Sequence, residues 1–135
     1  MPINHPSTTI LFIDHHKEDR QYWAQRLRTS APDYVVLEAE TGRVGLAICQ
    51  SQHVDCVVVE LSLPDMSGFQ VLISLVPHAH RPEMAVIVLT RVVLHPMERL
   101  ALNNGAKAYL VKSHSSGDDL DRALRKAIAA VGPKK

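Results

Sequence analysis

The chain has 135 residues and a mass of 15.0 kDa, one domain's worth of sequence and enough to bury a core without metals or disulfides. Apolar residues make up 46% and charged residues 21%, which excludes an intrinsically disordered tail. Lys plus Arg number 15 and Asp plus Glu 14, so the net charge is +1 with His neutral and carries no nucleic-acid signature.

Residues 1–8, with two prolines and little apolar content, read as a flexible arm. The run 10–13, ILFI, ends in Asp14; it is too short for a helix and suits a strand buried on both faces. From Lys17 onward, Tyr22, Trp23, Ala24 and Leu27 recur at helical spacing among polar residues, until Ser30-Ala31-Pro32-Asp33 ends the helix. Trp23 reads as packing between this helix and the sheet. YVVLEA, 34–39, is a second strand. Past Gly42, the residues Val44, Leu46, Ala47 and Ile48 carry a second helix, weakened by Gly45. VDCVVVEL, 54–61, has a β-branched centre without strict alternation and fits the middle of a parallel sheet. A turn at 64–68, PDMSG, leads into a short helix with Phe69, Val71, Leu72 and Leu75 that stops before Pro77. AVIVLT, 85–90, is a fourth buried strand. Met97, Leu100, Ala101 and Asn104 mark a fourth helix, with Gly105 placed as its C-cap. AKAYLV, 106–111, alternates, as expected near a sheet edge. The last helix starts near Ser115 or Ser116, each followed three residues later by an Asp, Asp118 or Asp119, a capping-box pattern with Asp in place of Glu. Leu120, Leu124, Ile128 and Val131 continue it as far as Gly132-Pro133.

Five strands alternating with five helices imply right-handed crossovers onto a mostly parallel sheet with helices on both faces, a doubly wound α/β domain. Sites in such folds lie beyond the carboxyl ends of the strands. Those ends carry Asp14-His15, Glu60, Thr90 and Lys112. One polar residue after a buried strand is ordinary; the set is what points to a site. Two acids in one crevice repel unless a cation or Lys112 offsets them. Such a cluster could hold Mg2+ through oxygen ligands, and a Lys with a Thr could hold a phosphoryl group. No HExxH or CxxC occurs, and the residues after the first strand, Asp14-His15-His16-Lys17, form no Gly-rich loop, so zinc and dinucleotide motifs are absent from the sequence. Cys49 and Cys56 lie in apolar stretches and read as core thiols. The start, MPINHPSTT, is too polar for a signal peptide, and no apolar run reaches membrane-spanning length.

The series ILFID-H, VVVELSLPDMSG, VIVLT and GAKAYLVKS resembles the receiver domain of bacterial two-component response regulators, over roughly residues 9–131. The resemblance implies a flavodoxin-like sheet of order 2-1-3-4-5, with helices one and five on one face and two, three and four on the other. It leaves 132–135 as a tail or the start of a linker to an output domain. In the family, an Asp after strand three accepts a phosphoryl group from a histidine kinase, and two acids after strand one help bind Mg2+. A Thr or Ser after strand four and a Lys after strand five contact the phosphoryl group, and an aromatic residue on strand five reports the active state.

By that correspondence Asp14 is the first acid, Thr90 the hydroxyl, Lys112 the lysine and Tyr109 the aromatic switch. Ser62 stands where a backbone carbonyl ligates Mg2+, and Pro64 and Gly68 match the loop beyond it. Four positions depart. His15 replaces the second acid, Glu60 stands at the phospho-acceptor, Arg91 takes the place of a small residue and Ser113 that of a proline. The Glu60 carboxylate lies about an ångström further out than that of Asp, a misplacement that costs a phosphoryl transfer on the order of 100-fold. Imidazole is a poor Mg2+ ligand. The set Asp14, Glu60 and Ser62 is therefore expected to bind Mg2+ weakly, with no cofactor required and no enzymatic activity. Arg91 either fills the crevice or pairs with Glu60. Glu60 itself has several readings. It imitates aspartyl phosphate with one charge in place of up to two, it belongs to a neutral docking scaffold, or the domain is an ordinary Mg2+-dependent receiver with impaired activity. The expected partners are a histidine-kinase-related protein or an output domain. A second copy could dock on the face of helix four, strand five and helix five, which carries Met97, Tyr109 and the basic residues Arg122, Arg125, Lys126, Lys134 and Lys135. Direct nucleic-acid binding and membrane insertion are not expected, and a cytoplasmic location is.

Overall fold

The computed structural model describes residues 7–76 and 84–131. The expectations placed on residues 1–6, on Pro77, and on the 132–135 tail with Lys134 and Lys135 lie outside the described residues. The elements are β1 (Thr9–Ile13), α1 (Lys17–Ser30), β2 (Val35–Ala39), α2 (Gly42–Ser51), β3 (Cys56–Val59), α3 (Gly68–Leu75), β4 (Ala85–Thr90), α4 (His95–Asn103), β5 (Ala108–Val111), a 3-10 turn at Lys112–His114 and α5 (Gly117–Val131). All strand pairs are parallel and the order is β2-β1-β3-β4-β5.

Two cores explain why the central strands read as continuous apolar runs. Side chains alternate across a strand, so each buried strand feeds both faces. Ile10, Phe12, Val58 and Ile87 meet Trp23 and Leu27 of α1 and Leu120 and Leu124 of α5 on one face. Leu11, Ile13, Val57, Val59, Val86 and Val88 meet Val71 and Leu72 of α3 and Ala101 of α4 on the other, where Phe69, Leu46 and Ile48 also pack, half-buried. Trp23 therefore packs as its helical spacing predicts, and helices one and five share a face. Cys56 is buried and Cys49 half-buried, both as free thiols. Burial pushes the Cys49 thiol up to about 11.

Several details differ from expectation. β3 is shorter than the run 54–61, although the Asp55 and Glu60 N–H groups beyond its ends still bond the Thr9 and Ile13 carbonyls of β1, and the Asp55 side chain accepts the Thr9 N–H at 2.8 Å. β5 is the edge strand, but its four residues are all half-buried, without the expected alternation, since each face is only partly covered. Ser116 caps α5: its N–H donates to Asp119 Oδ2 at 2.8 Å, and the Asp119 N–H donates to its hydroxyl at 3.1 Å. Gly45 is a packing requirement of α2, since a Cβ there would sit 2.3 Å from Ile13 Cδ1. Gly105, with φ at 103°, follows α4 as the C-cap reading requires.

Candidate functional site

The parallel register sets Ile13 beside Val59, Val59 beside Val88 and Thr90 beside Val111. The residues that follow or end these strands therefore converge. Asp14, Glu60 and Thr90 are buried, and the Lys112 side chain is only 7% exposed.

Lys112 is the centre of the arrangement. Its ammonium lies 2.6 Å from Asp14 Oδ2, 2.9 Å from Asp19 Oδ2 and 3.0 Å from Glu60 Oε1. Glu60 receives donors on both oxygens. Oε2 accepts the Thr90 hydroxyl and the Ser62 N–H at 3.2 Å; Oε1 faces Lys112 and accepts the Arg91 N–H at 3.3 Å. The Thr90 oxygen also accepts the Val92 N–H at 3.1 Å, which leaves its own proton for Glu60. Asp14 Oδ1 accepts the His16 N–H at 2.9 Å and lies 3.1 Å from His16 Nδ1, while the Asp14 carbonyl accepts from the buried Arg20 at 2.7 Å.

The electrostatics follow from these contacts. Burial opposes the Glu60 charge, but the Thr90 hydroxyl, the Lys112 charge and hydrogen bond, and the Ser62 N–H outweigh it, so the carboxyl is held below its ordinary range. The Arg91 hydrogen bond is the largest influence on Asp19 and, with Lys112 adding to it against burial, holds its carboxyl down to about 2. Burial works against the Lys112 ammonium, but bonds to Asp14 and Asp19 and the charges of Asp14 and Glu60 hold it above the usual lysine range. The Tyr109 phenol is pushed up by burial and then by the charges of Glu60 and Glu98.

Asp14, Glu60, Thr90 and Lys112 are thus brought together, and other positions behave differently from the sequence reading. Arg91 neither fills the crevice nor pairs its side chain with Glu60, whose Oε1 already holds Lys112. Its guanidinium, 59% exposed, instead binds Asp19 at 2.9 Å, and only its main-chain N–H reaches Glu60. Asp19 escaped the sequence reading altogether. It lies in the first turn of α1, where an acid is explained by the helix dipole alone; the clue is that the helix starts directly beyond Asp14. His15 is exposed and its ring lies against that of His16, with centroids 4.0 Å apart. Ser62 is exposed and contributes its N–H to Glu60. Ser113 is exposed within the 3-10 turn. The half-buried Tyr109 donates its hydroxyl to the Val92 carbonyl at 2.8 Å.

A magnesium ion wants oxygen ligands in near-ideal octahedral array. Between Asp14 and Glu60 that position is held by the Lys112 ammonium, and both Glu60 oxygens already face protein donors. The set Asp14, Glu60 and Ser62, so arranged, does not fit Mg2+. A different group, Asp14, His15 and His16, does place one ligand atom each within 4.8 Å of the others.

Residues 10–125 match the response regulator receiver domain family. The nitrate/nitrite response regulator protein NarL of Escherichia coli strain K12 is 33% identical over 128 residues, covering 93% of this chain and 57% of NarL. A probable cyclic di-GMP phosphodiesterase of Vibrio cholerae is 30% identical over 104 residues, 77% of this chain and 23% of that protein. The chain thus spans a little over half the length of one relative and under a quarter of the other. Among solved structures, a CheY-like receiver domain protein from Methanospirillum hungatei JF-1 superposes with a TM-score of 0.81 at 26% identity, covering 93% of this chain and 97% of that one. A response regulator receiver domain from Clostridium thermocellum gives 0.78 at 29% identity, covering 91% and 95%. Among the described residues no helix is long and apolar enough to cross a membrane.

Proposed function

The chain belongs to the response regulator receiver domain family, a signalling module and not an enzyme class, and we propose that it signals by protein contact with Glu60 as a permanent charge in place of a phosphorylation switch. One observation carries this reading: the Glu60 carboxylate is buried and bound by both Lys112 and Thr90, contacts that hold its carboxyl below the ordinary range. Those are the groups that, by family resemblance, contact a phosphoryl oxygen. The longer side chain reaches them without one, which favours the mimicry reading over a neutral scaffold. Glu60 accepts no phosphoryl group in this proposal, and Mg2+ binds weakly through Asp14, Glu60 and Ser62 only if it displaces Lys112.

The receiver unit is taken as residues 9–131, with 132–135 leading toward an output region in a cytoplasmic protein. Partners are a histidine-kinase-related protein or that output region, with no direct nucleic-acid contact by this domain. The contact surface proposed is α4, β5 and α5. Val93, Leu94, Leu100 and Leu102 are exposed apolar side chains before and on α4, which supports protein contact there. A second copy docking on the same face is part of the proposal; Arg122 is exposed but already pairs with Asp119 of its own helix, and among the described residues Arg125 and Lys126 are also exposed on α5.

The test is incubation with a small phosphodonor such as acetyl phosphate in excess Mg2+, followed by intact mass measurement. The mass should stay unchanged. A stable phosphoryl adduct on Glu60 would refute the reading.

A further inference from the structure

We infer that Asp14, His15 and His16 form a site for a divalent transition-metal ion of the Zn2+ class at the mouth of the crevice. The three side chains offer ligand atoms that all lie within 4.8 Å of one another. His16 Nδ1 and Asp14 Oδ1 are already 3.1 Å apart. Two ligands of a tetrahedral ion, each about 2.0–2.1 Å from it, are separated by roughly 3.4 Å, so this pair needs almost no movement. The exposed His15, its ring against that of His16, has the freedom to close the remaining distance.

The surroundings hold the ligands in place. Lys112 binds Asp14 Oδ2 at 2.6 Å, which turns Oδ1 toward the histidines. Arg20 binds the Asp14 carbonyl at 2.7 Å and is itself fixed to Glu38 at 3.0 Å. Such outer contacts orient metal ligands and raise their affinity. The chemistry selects the ion. Two imidazoles with one carboxylate suit Zn2+, Cu2+ or Ni2+ and disfavour Mg2+, which prefers oxygen. Charge also permits it: Asp14, Asp19, Glu60 and Glu38 outnumber Lys112, Arg91 and Arg20, so the crevice tolerates a dication. The positive end of the α1 dipole opposes a cation here, an effect smaller than one metal–imidazole bond. The site takes no ligand from Glu60, and its ligand set stands apart from the signalling proposal.

The experiment is calorimetric titration of the untagged chain with Zn2+, and separately with Mg2+. Zn2+ should bind one ion per chain at concentrations where Mg2+ gives no heat. His15→Ala and His16→Ala should each weaken Zn2+ by at least roughly tenfold, the loss that even an outer partner of a metal ligand produces. Both side chains reach solvent, so the variants keep the core, and circular dichroism confirms it. His53→Ala and His95→Ala, which remove imidazoles paired with Asp55 and Glu98, should leave the affinity unchanged. Co2+ substitution adds a direct readout, a visible d–d band that the double variant His15→Ala/His16→Ala should lose. Absence of Zn2+ binding, unchanged binding in that double variant, or Mg2+ binding as tight as Zn2+ would each overturn the assignment.

Discussion

Replacing Glu60 by Gln keeps the shape of the side chain and removes its charge. The native carboxylate faces four donors, two on each oxygen: Thr90 and Ser62 on Oε2, Lys112 and Arg91 on Oε1. An amide has one oxygen to offer. With its NH2 toward Lys112 it confronts an ammonium, so it settles with the oxygen there and the NH2 against Thr90 and the Ser62 N–H. That orientation weakens one charge-assisted bond, worth about 1.5–3 kcal/mol, and leaves one N–H without its acceptor, about 1 kcal/mol. Relief of repulsion among the acids and of the charge's burial offsets part of this. The expected net loss is about 2–3 kcal/mol at neutral pH, read by urea unfolding. The sign with pH follows from the lowered carboxyl: its stabilisation is present above the ordinary 4.5 and is lost as pH falls through the lower folded value. The gap between parent and Glu60→Gln should therefore close in acid. If the charge is also the switch, the variant changes partner binding or self-association, and the NMR signals of the Tyr109 ring shift with it. Equal stability at neutral pH, or a gap that persists unchanged in acid, would refute the electrostatic account. Unchanged binding and assembly in a folded Glu60→Gln protein would favour the neutral scaffold.

Asp19→Asn removes a carboxyl held near 2 against an ordinary 3.8, so its stabilisation exists above pH 3.8 and fades toward pH 2. The variant should flatten the acid limb of the stability profile over that interval. With the side chain 25% exposed and screened, the effect is about 1 kcal/mol or less, measured by denaturant unfolding at several pH values. Glu60→Asp combined with His15→Asp should restore labelling by acetyl phosphate with Mg2+; continued failure would shift the cause to Arg91 and Ser113. Sedimentation across salt concentration tests the α4–β5–α5 dimer, expected to tighten in low salt, and a monomer at high micromolar concentration in low salt would remove it.

The strand ends were legible because a polar residue stands out after a buried apolar run: Asp14 after ILFI, Glu60 after VVV, Lys112 after AYLV. Their convergence follows once the strands are parallel and adjacent. The direction of a long side chain is set by competition, and a sequence does not show the competitors. Arg91 turns to Asp19 because Lys112 holds the nearer Glu60 oxygen. Asp19 was hidden because an acid early in a helix has an ordinary explanation. The reciprocal cap of Ser67 and Gln70 at α3 is not legible because Ser67 falls inside a turn already assigned to Pro64 and Gly68.

The distance along the chain from Asp14 to Lys112 has a consequence for how the domain assembles. Ninety-eight residues separate them, while β1 and β3 can already pair without β5. Until β5 lies along β4, Asp14, Asp19 and Glu60 crowd one another with no lysine among them. Seating the last strand therefore brings in packing and the neutralising cation in one event, after the loop-closure entropy of a long contact has been met. The reverse holds for local opening: lifting β5 takes the shared lysine from three acids at once and leaves only Asp19 with a cation, Arg91. The charge centre and the last strand are thus a single cooperative unit, and a force or partner acting on β5 acts on Glu60.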